Sequence, residues 1–388
     1  MKQARTQESL VEAARGLRAA RMDLSCPSSD IRVSKDLQHV FVGKHKGRFT
    51  DHSFRQMCSH LKVPHEYAIR CRDGEYNWRE NATETLSRAP FMADQMNNWL
   101  EHPVRDTRRL VRGIVEPTGN IDWRAYLSNQ YFPLDSFDLL TRVLKECQNV
   151  EHLIGPARWA SGDINQDNMK VKLVFPGLRQ TVRSRREGDV VQWGLFISNN
   201  EVGLGKWKIH GFVEFLVCTN GMISSRTLVD QNGEKLTTEK THRGAAIPLT
   251  LEDGIQWSDS VYARANEVQL EMISDTCAHI MRPDNLQKEV ALFNRASENT
   301  YQIQNPESAI KRLAQREAHV GLTEFEERLI INRLFTAGDR SQFGLAQAIC
   351  SQEVASPLDY ARATEFERLA YNVIAMPGAQ WEPIARAA

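Results

Sequence analysis

The chain has 388 residues, of which 41% are hydrophobic and 25% charged, a balance that excludes disordered and fibrous classes and supports a substantial core in two domains or one elaborated domain. No run of about eighteen apolar residues occurs, and Met1-Lys2-Gln3-Ala4-Arg5 lacks the apolar centre of a secretory signal, so a cytoplasmic protein with no membrane partner is expected. Basic and acidic residues balance at 49 each, yet residues 1–250 hold 36 Lys and Arg against 29 Asp and Glu, while residues 251–388 hold 13 against 20.

Such an asymmetry suggests that the first part meets an anion and that the last third masks it or has a separate task. The seven cysteines (Cys26, Cys58, Cys71, Cys147, Cys218, Cys277 and Cys350) are scattered and form no CxxC pair, which favours reduced thiols over disulfides or a zinc site.

In chain order, residues 8–22 have helical periodicity with Arg15, Arg18 and Arg21 apart from the apolar side, a basic N-terminal helix or arm within residues 1–28. A second segment, 29–104, reads as a small hairpin over 31–42, a helix capped by Thr50 and ended by Pro64, and another helix over 90–100. From Arg108 the texture is strand-like: 108–115 pairs with 121–129, Asp135 starts a helix through Val150, and strands follow at 153–160, 169–175, 190–198, 208–218, 222–229 and 235–242. Asn220-Gly221 and Asn232-Gly233 have the composition of tight hairpin turns. After Thr250 helices are expected at about 256–281, 284–297, 306–318, 323–335, 341–351 and 359–374. The fold class expected is α+β, an antiparallel β-meander core backed by helices over 105–250 and an acidic all-helical part over 251–388.

Cofactor motifs fail on inspection. Glu201 to Trp207, EVGLGKW, contains a Gly-Lys pair, but Trp207 stands where a phosphate loop needs Ser or Thr. The turn Asp163, Asn165, Asp167 has calcium-loop spacing, but Asn168 and Val174 replace the required Gly and Glu. No cofactor and no metal are expected. His210, His242, Glu201 and Glu214 could assemble an acid-base or metal site, the basis for an alternative reading as a metal-dependent nuclease or nucleotide hydrolase.

The strongest signal is the loop carrying Arg179, Arg183, Arg185 and Arg186, because guanidinium groups that dense are stabilised by phosphates. Lys170 and Lys172 alternate along the preceding strand and share a face, and Lys206, Trp207 and Lys208 lie on the adjoining hairpin with Trp193 nearby. Arg108 and Arg112, from a cluster that includes Arg105 and Arg109, could extend the same surface. Cations beside aromatic rings are what a sequence-tolerant single-strand binder uses. The expected function is single-stranded DNA binding, with strand annealing or protection as its outcome. Repetition would strengthen such binding, so a homo-oligomer is expected. An interaction protein that blocks a host factor, served by the acidic helices, is the third reading.

The stretches WRAYLSNQYFPLDSFDLL (Trp123 to Leu140) and ISNNEVGLGKWKIHGFVEFLVCTNGMIS (Ile197 to Ser224), with TDHSFRQMCSHLKVPHEYAIR (Thr50 to Arg70) and THRG (Thr241 to Gly244), resemble the phage/plasmid-like protein family. The resemblance spans about half the chain, from Thr50 to Gly244. It implies a mobile-element protein acting on DNA or on host defences, and brings no catalytic residues with it. The order of hairpin, helix and antiparallel strands is similar, at the level of fold alone, to phage single-strand annealing proteins.

Overall fold

The computed structural model describes residues 5–74, 78–81, 84–102, 108–183, 189–216, 220–226, 238–242 and 258–387. Thr6 caps α1 (Gln7–Ala19), and β1 (Arg21–Pro27), β2 (Ile31–Val33), β3 (His39–Val42) and β4 (His45–Phe49) follow. Thr50 Oγ1 accepts the Ser53 amide at 3.2 Å and opens α2 (Asp51–Leu61). Next come α3 (His65–Arg72), the hairpin of β5 (Trp78–Asn81) and β6 (Glu84–Leu86), and α4 (Ala89–Glu101). Beyond β7 (Arg108–Val115) and β8 (Ile121–Ser128) lie α5 (Ser136–Asn149) and the short α6 (Glu151–Ile154). The remaining strands are β9 (Arg158–Ile164), β10 (Asn168–Thr181), β11 (Val190–Asn200), β12 (Lys206–Phe215), β13 (Asn220–Ile223) and β14 (Glu239–Thr241). The described chain after β14 is helical: α7 (Asp259–Ile280), α8 (Pro283–Ser297), α9 (Pro306–Arg316), α10 (Glu324–Ala337), α11 (Gln342–Ile349), α12 (Gln352–Ala355), α13 (Tyr360–Ala375) and α14 (Gly378–Ala385). No described helix is long and apolar enough to cross a membrane.

The fold is α+β, as the sequence pattern suggested. The meander β9 to β13 forms one antiparallel sheet in the order β13-β12-β11-β10-β9, with β14 pairing the start of β12. Alternation along these strands decides what each face meets. Trp193, Leu195 and Ile197 of β11 and Trp207 and Ile209 of β12 enter a core shared with α5 and α7, where Trp193 Nε1 donates to the Ile280 carbonyl at 2.7 Å. Gly211 leaves room for that indole, since a Cβ there would fall 2.1 Å from its ring. The other sheet has the order β1-β7-β8-β4-β3-β2, with β4 and β8 parallel, and buries Trp123 and Val111 against Phe54, Met57 and Met96 of α2 and α4.

Several expectations change. The helix expected over 8–22 stops at Ala19, and Arg21 and Met22 open β1 instead, because they pair with Ile114 and Gly113 across the sheet, partners that local periodicity does not carry. Residues 151–154 are helical where a strand was expected to begin, and the hairpin strand starts at Arg158. Asn220 begins β13 instead of forming a turn, and Asn232-Gly233 lies outside the described residues. Neither sequence boundary at 104/105 nor that at 250/251 divides a core: β7 and β8 share a sheet with β1 to β4, and one apolar cluster runs from Leu10 of α1 through the meander to Ala385 of α14.

The two sheets meet through buried charge. Arg112 of β7 is fully buried; its guanidinium lies 3.1 Å from Asp23 and 2.7 Å from Asp135, and its Nη1 donates to the Glu201 carbonyl at 3.0 Å. Arg124 sits where the β7–β8 register skips, from Arg112 opposite Ala125 to Gly113 opposite Trp123, and that bulge aims it at Glu201, 2.7 Å away. Arg21 pairs with Asp135 as well. Asp135 precedes α5 but caps nothing with its side chain, because that carboxylate is committed to arginines; Glu201 Oε1 accepts the Ser136 amide at 2.7 Å instead. Burial would raise the Asp135 pKa, but Arg112 and Arg21 hold it below the usual carboxylate range. Replacing Arg112 with Met strands Asp135 without its fully buried cation and should cost about 3–5 kcal/mol in urea unfolding. A variant as stable as the parent would show that the sheets are docked by something else.

Candidate functional site: a cationic cleft between the sheets

A cleft of about 750 Å³ opens where α2, the ends of β7 and β8, the β11–β12 connection and His242 converge. Gln56 fixes one wall, accepting the Tyr126 amide at 2.7 Å and donating to the Val202 carbonyl at 2.8 Å. His52 bonds the same carbonyl at 2.9 Å, so α2 clamps the connection from two positions. Gly203 turns that connection with φ +82, and a Cβ there would lie 2.5 Å from Leu127. The sequence EVGLGKW is thus a strand connection, as the missing Ser or Thr implied.

Two ring pairs form the floor. Tyr126 Oη lies 3.0 Å from His60 Nδ1, with ring centroids 5.6 Å apart, and Arg109 stands 5.6 Å above the Tyr126 ring. Tyr131 stacks on His242 at 5.0 Å and donates from its hydroxyl to the Asn200 carbonyl at 3.2 Å. Lys62 is exposed at the left-handed residue that ends α2, with φ 58, and Lys206 on the opposite side pairs with Glu239 at 2.6 Å. Among the described lining residues are Lys62, Arg109 and Lys206 and no carboxylate. A surface of that composition attracts anions.

Of the described residues expected to bind a strand, Lys206 alone lines this cleft. Lys172 is corrected: it is buried, and its Nζ donates to Glu367 of α13 at 2.6 Å, because the C-terminal helices fold back over the basic strand face. Lys170 on the same face is half-buried, with Nζ 3.5 Å from the Ala361 carbonyl, and Lys208 lies 3.7 Å from Glu239. Trp207 is corrected as well, being a core side chain on the opposite face with 1% of its surface exposed. Arg112 is spent on the inter-sheet network, and Arg108 donates to the Ser25 carbonyl at 2.9 Å across β1. Arg179 and Arg183 are exposed at and just beyond the end of β10, while Arg185 and Arg186 lie outside the described residues. The arginine cluster at 105–112 did carry a cleft residue, Arg109, consecutive with Arg108 and so on the other face of the strand. Nothing in the sequence marks Lys62 or Gln56, which are single polar residues on an ordinary helix.

The alternative catalytic set does not assemble. His210 faces α13 from β12, His242 floors the cleft, Glu201 joins Arg112 and Arg124, and Glu214 pairs with Arg158. Among the described residues no three His, Cys, Asp or Glu side chains are placed to hold a metal. Asp163 lies in β9 opposite Lys170, and Asn165 and Asp167 form an Asx turn in which Asn165 Oδ1 accepts the Asp167 and Asn168 amides at 2.8 Å each. No protein-family model, curated protein or solved structure matches the chain.

Burial pushes His60, His210 and His242 down to about 4 from the ordinary 6.5, in His60 helped by Arg109 and Lys62 and in His210 by Arg368. Below pH 6.5 the unfolded chain takes up protons that these rings refuse until about pH 4, so stability should fall across that window and be level above it. Urea midpoints measured from pH 8 to pH 4 test this. The slope should shrink in His242→Gln, and an unchanged slope would mean that His242 is protonated in the folded protein at the ordinary pH.

Proposed function

We propose that the protein binds single-stranded nucleic acid, DNA in the first instance, in the cleft between the sheets, and not on the strand face beneath α13. The observation that supports this is the lining itself: Lys62, Arg109 and Lys206 face a concave space of about 750 Å³ with no carboxylate among the described lining residues. That space suits a few nucleotides of an extended strand better than a duplex. Tyr126 already lies against His60 beneath Arg109 and Tyr131 is stacked on His242, so the cleft offers phosphates more than it offers bases, which makes sequence-tolerant, salt-sensitive binding the reading that fits. Exposed Arg179 and Arg183 give a strand further cations to follow. Annealing or protection of the strand, in the mobile-element setting that the sequence resemblance implies, is the role we assign to this binding.

Fluorescence anisotropy of a labelled oligothymidine, titrated between about 25 and 200 mM salt, provides the test. Lys62→Ala with Arg109→Ala should lower the slope of log affinity on log salt by about 1.4, two phosphate contacts at about 0.7 each. Lys62→Glu, a substitution at an exposed position, should weaken binding without disturbing the fold. Absence of binding at low salt overturns the proposal. So does a slope that follows Ala substitutions at Arg179, Arg183, Arg185 and Arg186 and ignores the cleft pair.

A further inference from the structure

A second cavity, of about 630 Å³, lies under α13 on the outer face of the meander. Its walls are β12, β13 and the start of β14 on one side, and α13 with the turn at 318–320 on the other. Arg368 lines it with its guanidinium over the Phe196 ring, 5.4 Å from the centroid. Among the described residues this guanidinium has no ion pair and no hydrogen bond, although burial disfavours its charge.

The carboxylates around it are committed elsewhere. Glu365 pairs with Arg362 at 2.7 Å, Glu239 with Lys206 at 2.6 Å, Glu367 with Lys172 at 2.6 Å and Glu289 with Arg226 at 3.3 Å. Arg368 is therefore surplus positive charge at a water-accessible cavity, with five N–H donors and no acceptor for them among the described residues. Other donors converge on the same space. Asn372 accepts the Ser225 hydroxyl at 3.0 Å through Oδ1, which leaves its amide N–H groups to donate. His210, held neutral at pH 7 by burial and by Arg368, has a ring N–H to give. Ile223 and Leu369 supply an apolar wall beside these groups.

We propose that this cavity binds a phosphate monoester, its phosphate on Arg368, His210 and Asn372 and its organic part against Ile223 and Leu369. A planar guanidinium fork matches two phosphate oxygens, and the additional donors suit a third better than they suit a carboxylate, which has only two. The monoester can be a free small molecule or the 5′ end of a strand. The site is separate from the cleft, so neither proposal depends on the other.

Isothermal titration of the full chain with adenosine monophosphate, adenosine, and a trinucleotide with and without a 5′-phosphate tests the assignment. Adenosine monophosphate should bind and adenosine should not. Arg368→Gln should weaken binding by about tenfold or more, the loss expected for a charge-assisted fork. Ser225→Tyr, at an exposed rim position, should block the cavity without touching the guanidinium, and Lys62→Glu should leave binding unchanged. A phosphorylated trinucleotide that binds like adenosine monophosphate identifies a strand end as the source, and one that does not identifies the free monoester. Adenosine binding as tightly as its monophosphate overturns the proposal, as does wild-type affinity in both cavity variants.

Discussion

Arg112 sets the relation between the two sheets. It leaves β7 with no exposed surface and finds Asp23 on β1, Asp135 at the start of α5 and the Glu201 carbonyl at the end of β11. With Arg21 and Arg124 on one side and Asp23, Asp135 and Glu201 on the other, three cations meet three carboxylates, so the group carries no net charge into the interior. Removing such ions from water costs several kcal/mol each, and an apolar junction of the same volume would be no less stable. What the ions add is direction. Each hydrogen bond fixes an angle between elements, and the bulge that turns Arg124 inward has a use only if the sheets meet in this one way. The Glu201–Gly205 connection is anchored by the same contacts, so the shape of the cleft beside it follows from the network.

The opposite charges of the two parts of the chain are answered in part inside it. Arg142 pairs with Glu267, Lys172 with Glu367 and Arg226 with Glu289, each a cation from before Thr250 and a carboxylate from after it. The Lys172 pair is the most enclosed, and Tyr360 and Phe212 rings flank the ammonium at 5.1 and 5.5 Å. Charge that would invite a nucleic acid if exposed is here part of the attachment of α13 to the sheet. Three such pairs answer part of the excess of seven charges, and the acidic helices act as a cover on the basic face in a literal sense.

This cover also explains what was legible in the sequence. Strand alternation showed the meander, and capping residues such as Thr50 and apolar spacing such as Leu139, Leu140 and Val143 showed the helices, because those signals are local. The same alternation correctly put Lys170 and Lys172 on one face. It could not say whether that face met water or a helix almost two hundred residues later. Buried arginines are the second blind spot. Arg112 and Arg124 read as surface charge because a buried guanidinium needs partners, and those partners, Asp135 and Glu201, are separated from them by turns, strands and a sheet boundary. Of the cleft, Lys206 and the arginine cluster at 105–112 were visible; Lys62, Gln56 and the two tyrosines became meaningful only when α2 and β8 were brought against the connection.

One ion pair stands between the two cavities. Lys206 lines the cleft and Glu239 lines the space under α13, and the two are joined at 2.6 Å where β14 crosses the start of β12. Glu239 also faces Lys208 at 3.7 Å and the neutral His210 ring at 3.9 Å, so it is the carboxylate that two lysines share. An anion arriving in the cleft competes with Glu239 for Lys206, and an anion arriving on Arg368 adds negative charge near Glu239. Either event alters the balance at the same carboxylate, while β14 is held to the sheet by only three residue pairs and to the rest of the described chain through His242. A short strand, paired with β12 over three residues, thus carries the carboxylate that borders one cavity and holds a lysine lining the other.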